Sequence, residues 1–210
     1  MAIKPILFNS EMVRAILDGR KDATRKIVKG FIPDDAVWGY TAFTPKGYIS
    51  CRGTFADGYG EKFFKLPCEL GDILYVRETW KKALNGYYYY EAWQRNDIAD
   101  VTKWKPSIRM PKEAARIWLK VTNVRVERLQ EITDEQAKRE GIQYDECPTG
   151  FTWKQETDMH NCYTTPIGAM QALWNSTIKK SDLDGYGWDA NPWVWTIEFE
   201  RCEKPEEISG

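Results

Sequence analysis

The chain has 210 residues, 42% hydrophobic and 29% charged, with 30 basic against 31 acidic side chains and a net charge of -1. That length predicts one large domain or a domain with insertions. The composition excludes intrinsic disorder, and the balanced charge excludes a strongly cationic nucleic-acid binder but not a local basic groove. No apolar run approaches the roughly 20 residues of a membrane helix. The N-terminus, Met1-Ala2-Ile3-Lys4-Pro5, lacks a signal-peptide core. A cytoplasmic protein with no membrane partner is therefore expected. The five cysteines, at 51, 68, 147, 162 and 202, suit reduced thiols better than a disulfide framework.

In chain order, residues 10–18 read as a helix with Met12, Val13, Ile16 and Leu17 on one face, capped by Asn9 or Ser10 and ended by Gly19. A short polar turn, residues 20–26, follows. Residues 31–65 are rich in glycine and aromatics and read as a hairpin or insertion with short strands near 48–55. Gly71-Asp72 marks a turn before a strand at 73–80. Residues 87–93 are β-prone, and 95–112 read as a loop. A long strand is expected over 117–129. Thr133–Gln136 forms a capping box for a short helix ending at Gly141. Residues 143–165 show no period and are a second candidate insertion. Pro166 opens a helix carrying Met170, Leu173 and Trp174. A final strand runs from Pro192, and residues 203–210 form a flexible tail. Strands outnumber helices without regular alternation. This predicts an α+β fold, a small mostly antiparallel β-barrel flanked by short helices, as a single domain over 1–202.

Charge is unevenly spread. Residues 20–29 hold five basic side chains and one acid, and residues 103–128 hold eight basic and two acidic. Residues 181–207 hold two basic and eight acidic. Such runs are either solvated faces or converge on a polyanion or nucleotide.

Two segments carry possible chemistry. In strand 73–80, alternation puts Leu74, Val76, Glu78 and Trp80 on one face. Glu78 is thus an acid on an apolar face, which either pairs with a buried arginine or lines a pocket with a shifted pKa. The segment Gly19-Arg20-Lys21-Asp22-Ala23-Thr24-Arg25 packs three cations around one threonine. A threonine hydroxyl needs a base to become a nucleophile, and a lysine crowded by cations and desolvated can supply one.

Gly19-Arg20-Lys21-x-x-Thr24-Arg25 after an amphipathic helix, followed by Gly71-Asp72-Ile73-Leu74-Tyr75-Val76-Arg77-Glu78-Thr79-Trp80, resembles the ASCH domain of the PUA-like superfamily. Ser107-Ile-Arg-Met110-Pro111, the alternating segment from Ile117 to Ile132, and Asn191-Pro192-Trp193-Val194-Trp195 resemble longer phage and prophage members. The superfamily includes RNA binders and enzymes. One branch comprises shorter amidohydrolases that deacetylate N4-acetylcytidine with a Lys, a Thr and a Glu. The resemblance implies catalytic roles for Lys21, Thr24 and Glu78, with Lys21 as base and Thr24 as nucleophile. Arg20, Arg25, Arg77, Trp80 and Arg109 are the expected substrate-binding residues, and no cofactor is expected.

Cys147, His160 and Cys162 match no familiar zinc spacing, so no metal is expected. Tyr87–Tyr90 and Trp93 either stack on bases or divide between core and surface. Two function classes follow: an amidohydrolase acting on an acylated nucleoside, or a module that binds RNA or a modified nucleoside without chemistry. A phage accessory protein acting through protein contacts is a third.

Overall fold

A computed structural model describes residues 1–94, 103–146, 149–154 and 162–206. The chain opens with a strand, β1 (Ile3–Leu7), then α1 (Ser10–Leu17) and β2 (Ala23–Ile27). Next come β3 (Val37–Gly39), β4 (Tyr48–Phe55), β5 (Gly58–Lys65), β6 (Ile73–Arg77), β7 (Trp80–Ala83), β8 (Gly86–Tyr89) and α2 (Tyr90–Gln94). The second half holds β9 (Trp118–Arg128), α3 (Asp134–Arg139), β10 (Gln143–Glu146), β11 (Thr149–Thr152), α4 (Pro166–Thr177), α5 (Leu183–Tyr186) and β12 (Trp193–Cys202). This is a mixed α+β chain, mostly strands with a few short helices.

Helix starts follow local chemistry. The Asn9 side chain accepts from Met12 N–H at 2.9 Å at the start of α1. Thr133 and Gln136 form the expected capping box on α3. Thr165 caps α4, whose first residue is Pro166.

The main sheet has strand order β1-β6-β9-β12-β2. β1 runs parallel to β6, and the other three pairings are antiparallel. The expected barrel is not closed by this ladder: β1 and β2 are the two unpaired edges of an open sheet. β3, β4 and β5 form a second antiparallel sheet within residues 31–65, and β7 with β8 and β10 with β11 form two hairpins.

One face of the main sheet is apolar across its three central strands. Leu74, Val76, Leu119, Val121, Trp195, Ile197 and Phe199 pack there with Val13 and Ile16 of α1. The three-stranded sheet joins this core through Trp38, whose ring meets Phe64, Trp193 and Trp195 at centroid distances of 5.1, 5.7 and 6.3 Å. The opposite face is apolar only at its ends. Ile73, Tyr75 and Trp118 lie at one end, and Leu129 and Val194 meet α3 and α4 at the other. Between them runs a charged stripe from β2, β9 and β12.

Two expectations are corrected. Residues 23–27 form an edge strand rather than a polar turn, because the ladder with β12 and buried carboxylates satisfy their polar groups. The strand expected over 73–80 ends at Arg77 and resumes at Trp80. The break puts Trp80 in the small core with Ile73 and Tyr75, not with Leu74 and Val76. Residues 207–210 of the expected tail lie outside the described residues. Among the described residues, no helix is long and apolar enough to cross a membrane.

Leu119 is fully buried at the centre of the sheet. Leu119→Ala is expected to cost about 2–5 kcal/mol, the range for a leucine cavity in a packed core. Urea unfolding measures this directly.

Candidate functional site

β2 alternates sharply. Its ladder with β12 aligns Thr24 with Ile197 and Lys26 with Trp195, so Thr24 and Lys26 share the apolar core's face. Arg25 aligns with Thr196 and faces the charged stripe. There its guanidinium donates to Glu127 at 2.6 Å and to Glu140 at 3.1 Å, and it lies 3.3 Å from Gln136 Oε1. The Thr196 hydroxyl donates to the same Glu127 oxygen at 2.7 Å.

Lys21 sits just before β2 and is fully buried. Its Nζ donates to Glu140 Oε2 at 2.7 Å, to the Glu140 carbonyl at 2.9 Å and to the Ala23 carbonyl at 2.8 Å. Three acceptors use three N–H donors, which is the ammonium form. Burial draws Lys21 below its ordinary amine value, the charge and hydrogen bond of Glu140 oppose that, and Arg25 adds a smaller downward push. Gly141 lets the end of α3 come this close. Its φ is +103°, and a Cβ there would lie 2.9 Å from the Ala15 side chain.

The stripe continues outward. Arg125 bridges Glu127, at 2.8 Å, and Glu198, and Arg139 bridges Glu198 and Asp22 at 3.2 and 2.8 Å. Burial pushes Glu127 up. The Thr196 hydroxyl, Arg25 and Arg125 outweigh it and hold the carboxyl below the ordinary glutamate value.

Beside β2 lies a cleft of about 420 Å³. Its walls are Leu7 of β1, Phe8 and Asn9 after it, Met12 of α1, Thr24, Arg25 and Lys26 of β2, Glu140, and Met170, Leu173, Trp174 and Thr177 of α4. Thr79 and Ser107 complete the lining. Residues from both edge strands of the main sheet, Leu7 of β1 and Thr24 of β2, therefore line the same cleft. Burial also lowers the Lys26 amine in this wall, with the Cys68 thiol opposing and Lys21 assisting.

Of the residues singled out in the sequence, Thr24 and Arg25 line this cleft, and Lys21 stands behind them against Glu140. Glu78 does not line it. It is buried, and Arg116 grips it in two parallel bonds of 2.9 and 2.8 Å. The same guanidinium reaches Glu91 at 3.1 Å. Burial pushes Glu78 up, Arg116 opposes, and the charge of Glu91 adds to the rise. Of the two readings of Glu78, the geometry here is that of the arginine pair. Trp80 packs on Tyr87 at 5.8 Å, with Lys105 over its ring at 5.0 Å. Arg20 donates to the Gly141 carbonyl at 3.0 Å and pairs with Asp18 at 3.1 Å. Arg77 donates to the Ile108 carbonyl at 3.3 Å and to Tyr75 Oη at 3.0 Å. Arg109 is exposed on a short 3₁₀ turn, Ser107–Arg109.

Glu140, Thr79, Ser107 and the α4 wall were not legible as site residues. The sequence carried one signal for Glu140: an acid between a capped helix and its terminal glycine, in a chain whose basic segment 20–29 needs a buried counter-charge. Among the described residues, no group of three or more His, Cys, Asp and Glu could hold a metal ion. Cys147 and His160 lie outside the described residues. No protein-family model, curated protein or solved structure matches the chain.

Glu140→Ala leaves Lys21 and Arg25 charged and buried without their shared carboxylate. A loss of about 3–5 kcal/mol is expected, as for a buried ion pair broken from one side, and urea unfolding at pH 7 reads it. Glu127 sets an acid dependence. Its folded value lies below its unfolded one, so its stabilisation is present above the unfolded value and is lost as pH falls through the folded value. Glu127→Gln should therefore lower stability at pH 7 and flatten its fall between neutral and acid pH.

Proposed function

We propose that the cleft binds a modified nucleoside, as an ASCH-type member of the PUA-like superfamily whose barrel gap is the binding site. The observation that carries this reading is the lining: Phe8, Met12, Met170 and Trp174 supply apolar and aromatic wall, and Thr24, Thr79 and Ser107 are among the polar residues beside them. A planar base with a few polar edges matches that mixture. The volume falls within the roughly 300–1,000 Å³ of small-molecule sites. The resemblance of the two N-terminal motifs to ASCH domains supports the same ligand class.

A second reading, hydrolysis of an acyl amide such as that of N4-acetylcytidine, is favoured by Thr24 on the cleft wall with the Lys21–Glu140 pair behind it. In that route Thr24 Oγ1 bonds to the acyl carbon and its proton passes to Lys21. The carbon–nitrogen bond then breaks, the cytosine amine leaves with that proton, and water cleaves the ester to release acetate. The route requires a neutral Lys21. Three acceptors around Lys21 Nζ engage all the donors of an ammonium, so the ground-state arrangement favours binding over chemistry.

Calorimetric titration with N4-acetylcytidine, cytidine and uridine tests the first reading. Binding is expected for the acetylated nucleoside, with a loss of at least about tenfold in Thr177→Trp, which fills the cleft from its exposed α4 rim. No binding by any of the three, or binding indifferent to Thr177→Trp, overturns it. Acetate release by the wild type that disappears in Thr24→Val while binding persists establishes the second reading.

A further inference from the structure

We propose that a second cavity, where the β3–β4 loop, the turn before β6 and the bulged middle of β9 meet, binds a free α-amino acid with an apolar side chain. The inference is independent of the nucleoside reading, because this cavity shares no lining residue with the cleft.

The cavity has a volume of about 380 Å³, which suits a small molecule. Its walls are pinned to one another. Leu66 N–H donates to the Gly47 carbonyl at 2.8 Å, and Tyr48 N–H donates to the Pro45 carbonyl at 3.1 Å. The Asp72 carboxylate accepts from Glu69 N–H at 3.0 Å, and Gly71 N–H donates to the Val121 carbonyl of β9 at 2.9 Å. Leu66 and Val124 give an apolar lining that also packs against the main core.

Two backbone features shape the polar part. The first is a bulge. β9 pairs Val121 with Phe199 and Asn123 with Glu198, which leaves Thr122 as an extra residue. A bulge breaks the alternation that sends neighbouring side chains to opposite faces. Thr122, Asn123 and Val124 accordingly all line the cavity. The second is Gly47. Its φ is +79°, and a Cβ there would lie 3.4 Å from a carboxylate oxygen of Glu69. The Glu69 carboxylate therefore lies against the loop, next to Lys46.

Lys46 and Glu69 give the lining one charge of each sign. Neither side chain makes an ion pair or a hydrogen bond among the described residues, with the other or with a third group. Glu69 is half-buried, and a carboxylate drawn partly out of water gains most from a cationic donor. A ligand with an ammonium and a carboxylate matches both groups at once. A ligand with one charge leaves the other group unmatched. The Thr122 hydroxyl and the Asn123 amide offer further donors to the ligand carboxylate. The remaining lining fixes the third substituent. Tyr40 and Leu70, which also line the cavity, are 67% and 75% exposed. An apolar side chain beside them and Leu66 takes that surface out of water. An ammonium, a carboxylate and an apolar side chain on one carbon are an α-amino acid.

Calorimetry on the full chain tests this with L-leucine, glycine, L-leucinamide and N-acetyl-L-leucine. The last three lack the apolar side chain, the carboxylate and the ammonium in turn. Leucine is expected to bind about tenfold or more tightly than each of them. Glu69→Gln should weaken leucine by about tenfold or more and leave N-acetylleucine unchanged. Lys46→Gln should weaken leucine by a similar factor and leave leucinamide unchanged, and Lys46→Arg should retain binding. The unfolding temperature should be the same in all three variants, and the cleft variant Thr177→Trp should bind leucine as the wild type does. No binding of leucine, or single-charge analogues that bind as tightly, overturns the proposal. Leucine binding that survives Glu69→Gln and Lys46→Gln but is lost in Thr177→Trp moves the ligand to the cleft and overturns this site. Tighter binding of the peptide Leu-Gly-Gly than of leucine overturns a free amino acid in favour of a chain terminus. Failure of leucine to bind leaves the nucleoside reading of the cleft standing, and failure of N4-acetylcytidine to bind leaves this site standing.

Discussion

The carboxylate of Glu140 is the point on which the site depends. One oxygen takes the Lys21 ammonium and the other takes Arg25, and all three groups are buried. Those two bonds hold the start of an edge strand against the end of a short helix more than a hundred residues later. Without them, β2 is a run of Thr, Arg and Lys with every reason to stay in water. With them, Thr24 and Lys26 turn toward the apolar core and form one wall of the cleft. A buried charge pair of this kind contributes little net stability but makes its alternatives costly, which fixes where the strand lies.

The charged stripe follows from the same constraint. The second face of the main sheet buries apolar residues at both ends, against the small core at one and α3 and α4 at the other. The middle is crossed by carboxylates and guanidinium groups in alternation. Alternating signs allow each carboxylate to accept from two donors, so the desolvation cost of each is offset twice. The same economy operates at Arg116, which neutralises Glu78 and shares Glu91. A near-zero net charge thus conceals two populations of basic residues. One is consumed internally in the stripe and around Glu78. The other, which includes Lys82, Lys103, Lys105 and Arg109, is exposed and makes no ion pair among the described residues.

The open sheet and the cleft are two aspects of one geometry. α1 and the three-stranded sheet cover the apolar face, and residues from both edge strands of the main sheet line a common space. α4 then supplies the outer wall with Met170, Leu173 and Trp174. Closing the ladder between β1 and β2 would erase that space. The cleft lies where the two edge strands are left unpaired by one another and α4 lines the same space.

The sequence by itself determined the local elements. A capping box, proline at a helix start and periodicity pointed to helices over 10–18, between Thr133 and Gly141 and from Pro166, and alternation pointed to strands over 117–129 and from Pro192; each has a counterpart within a residue or two in the structure. Those signals are legible because they arise from contacts within a few residues. The sequence also singled out Lys21, Thr24 and Glu78 as polar residues in unusual places. Only the tertiary structure decided what each one touches. Arg116 meets Glu78 and Glu140 meets Lys21 across separations of 38 and 119 residues. No period or cap reports such a pairing. β2 was hidden for the same reason, since its polar residues become strand-forming only when distant carboxylates neutralise them. Trp80 changed sides because a two-residue break at Glu78 and Thr79 resets the alternation, and nothing in the local pattern marks that break.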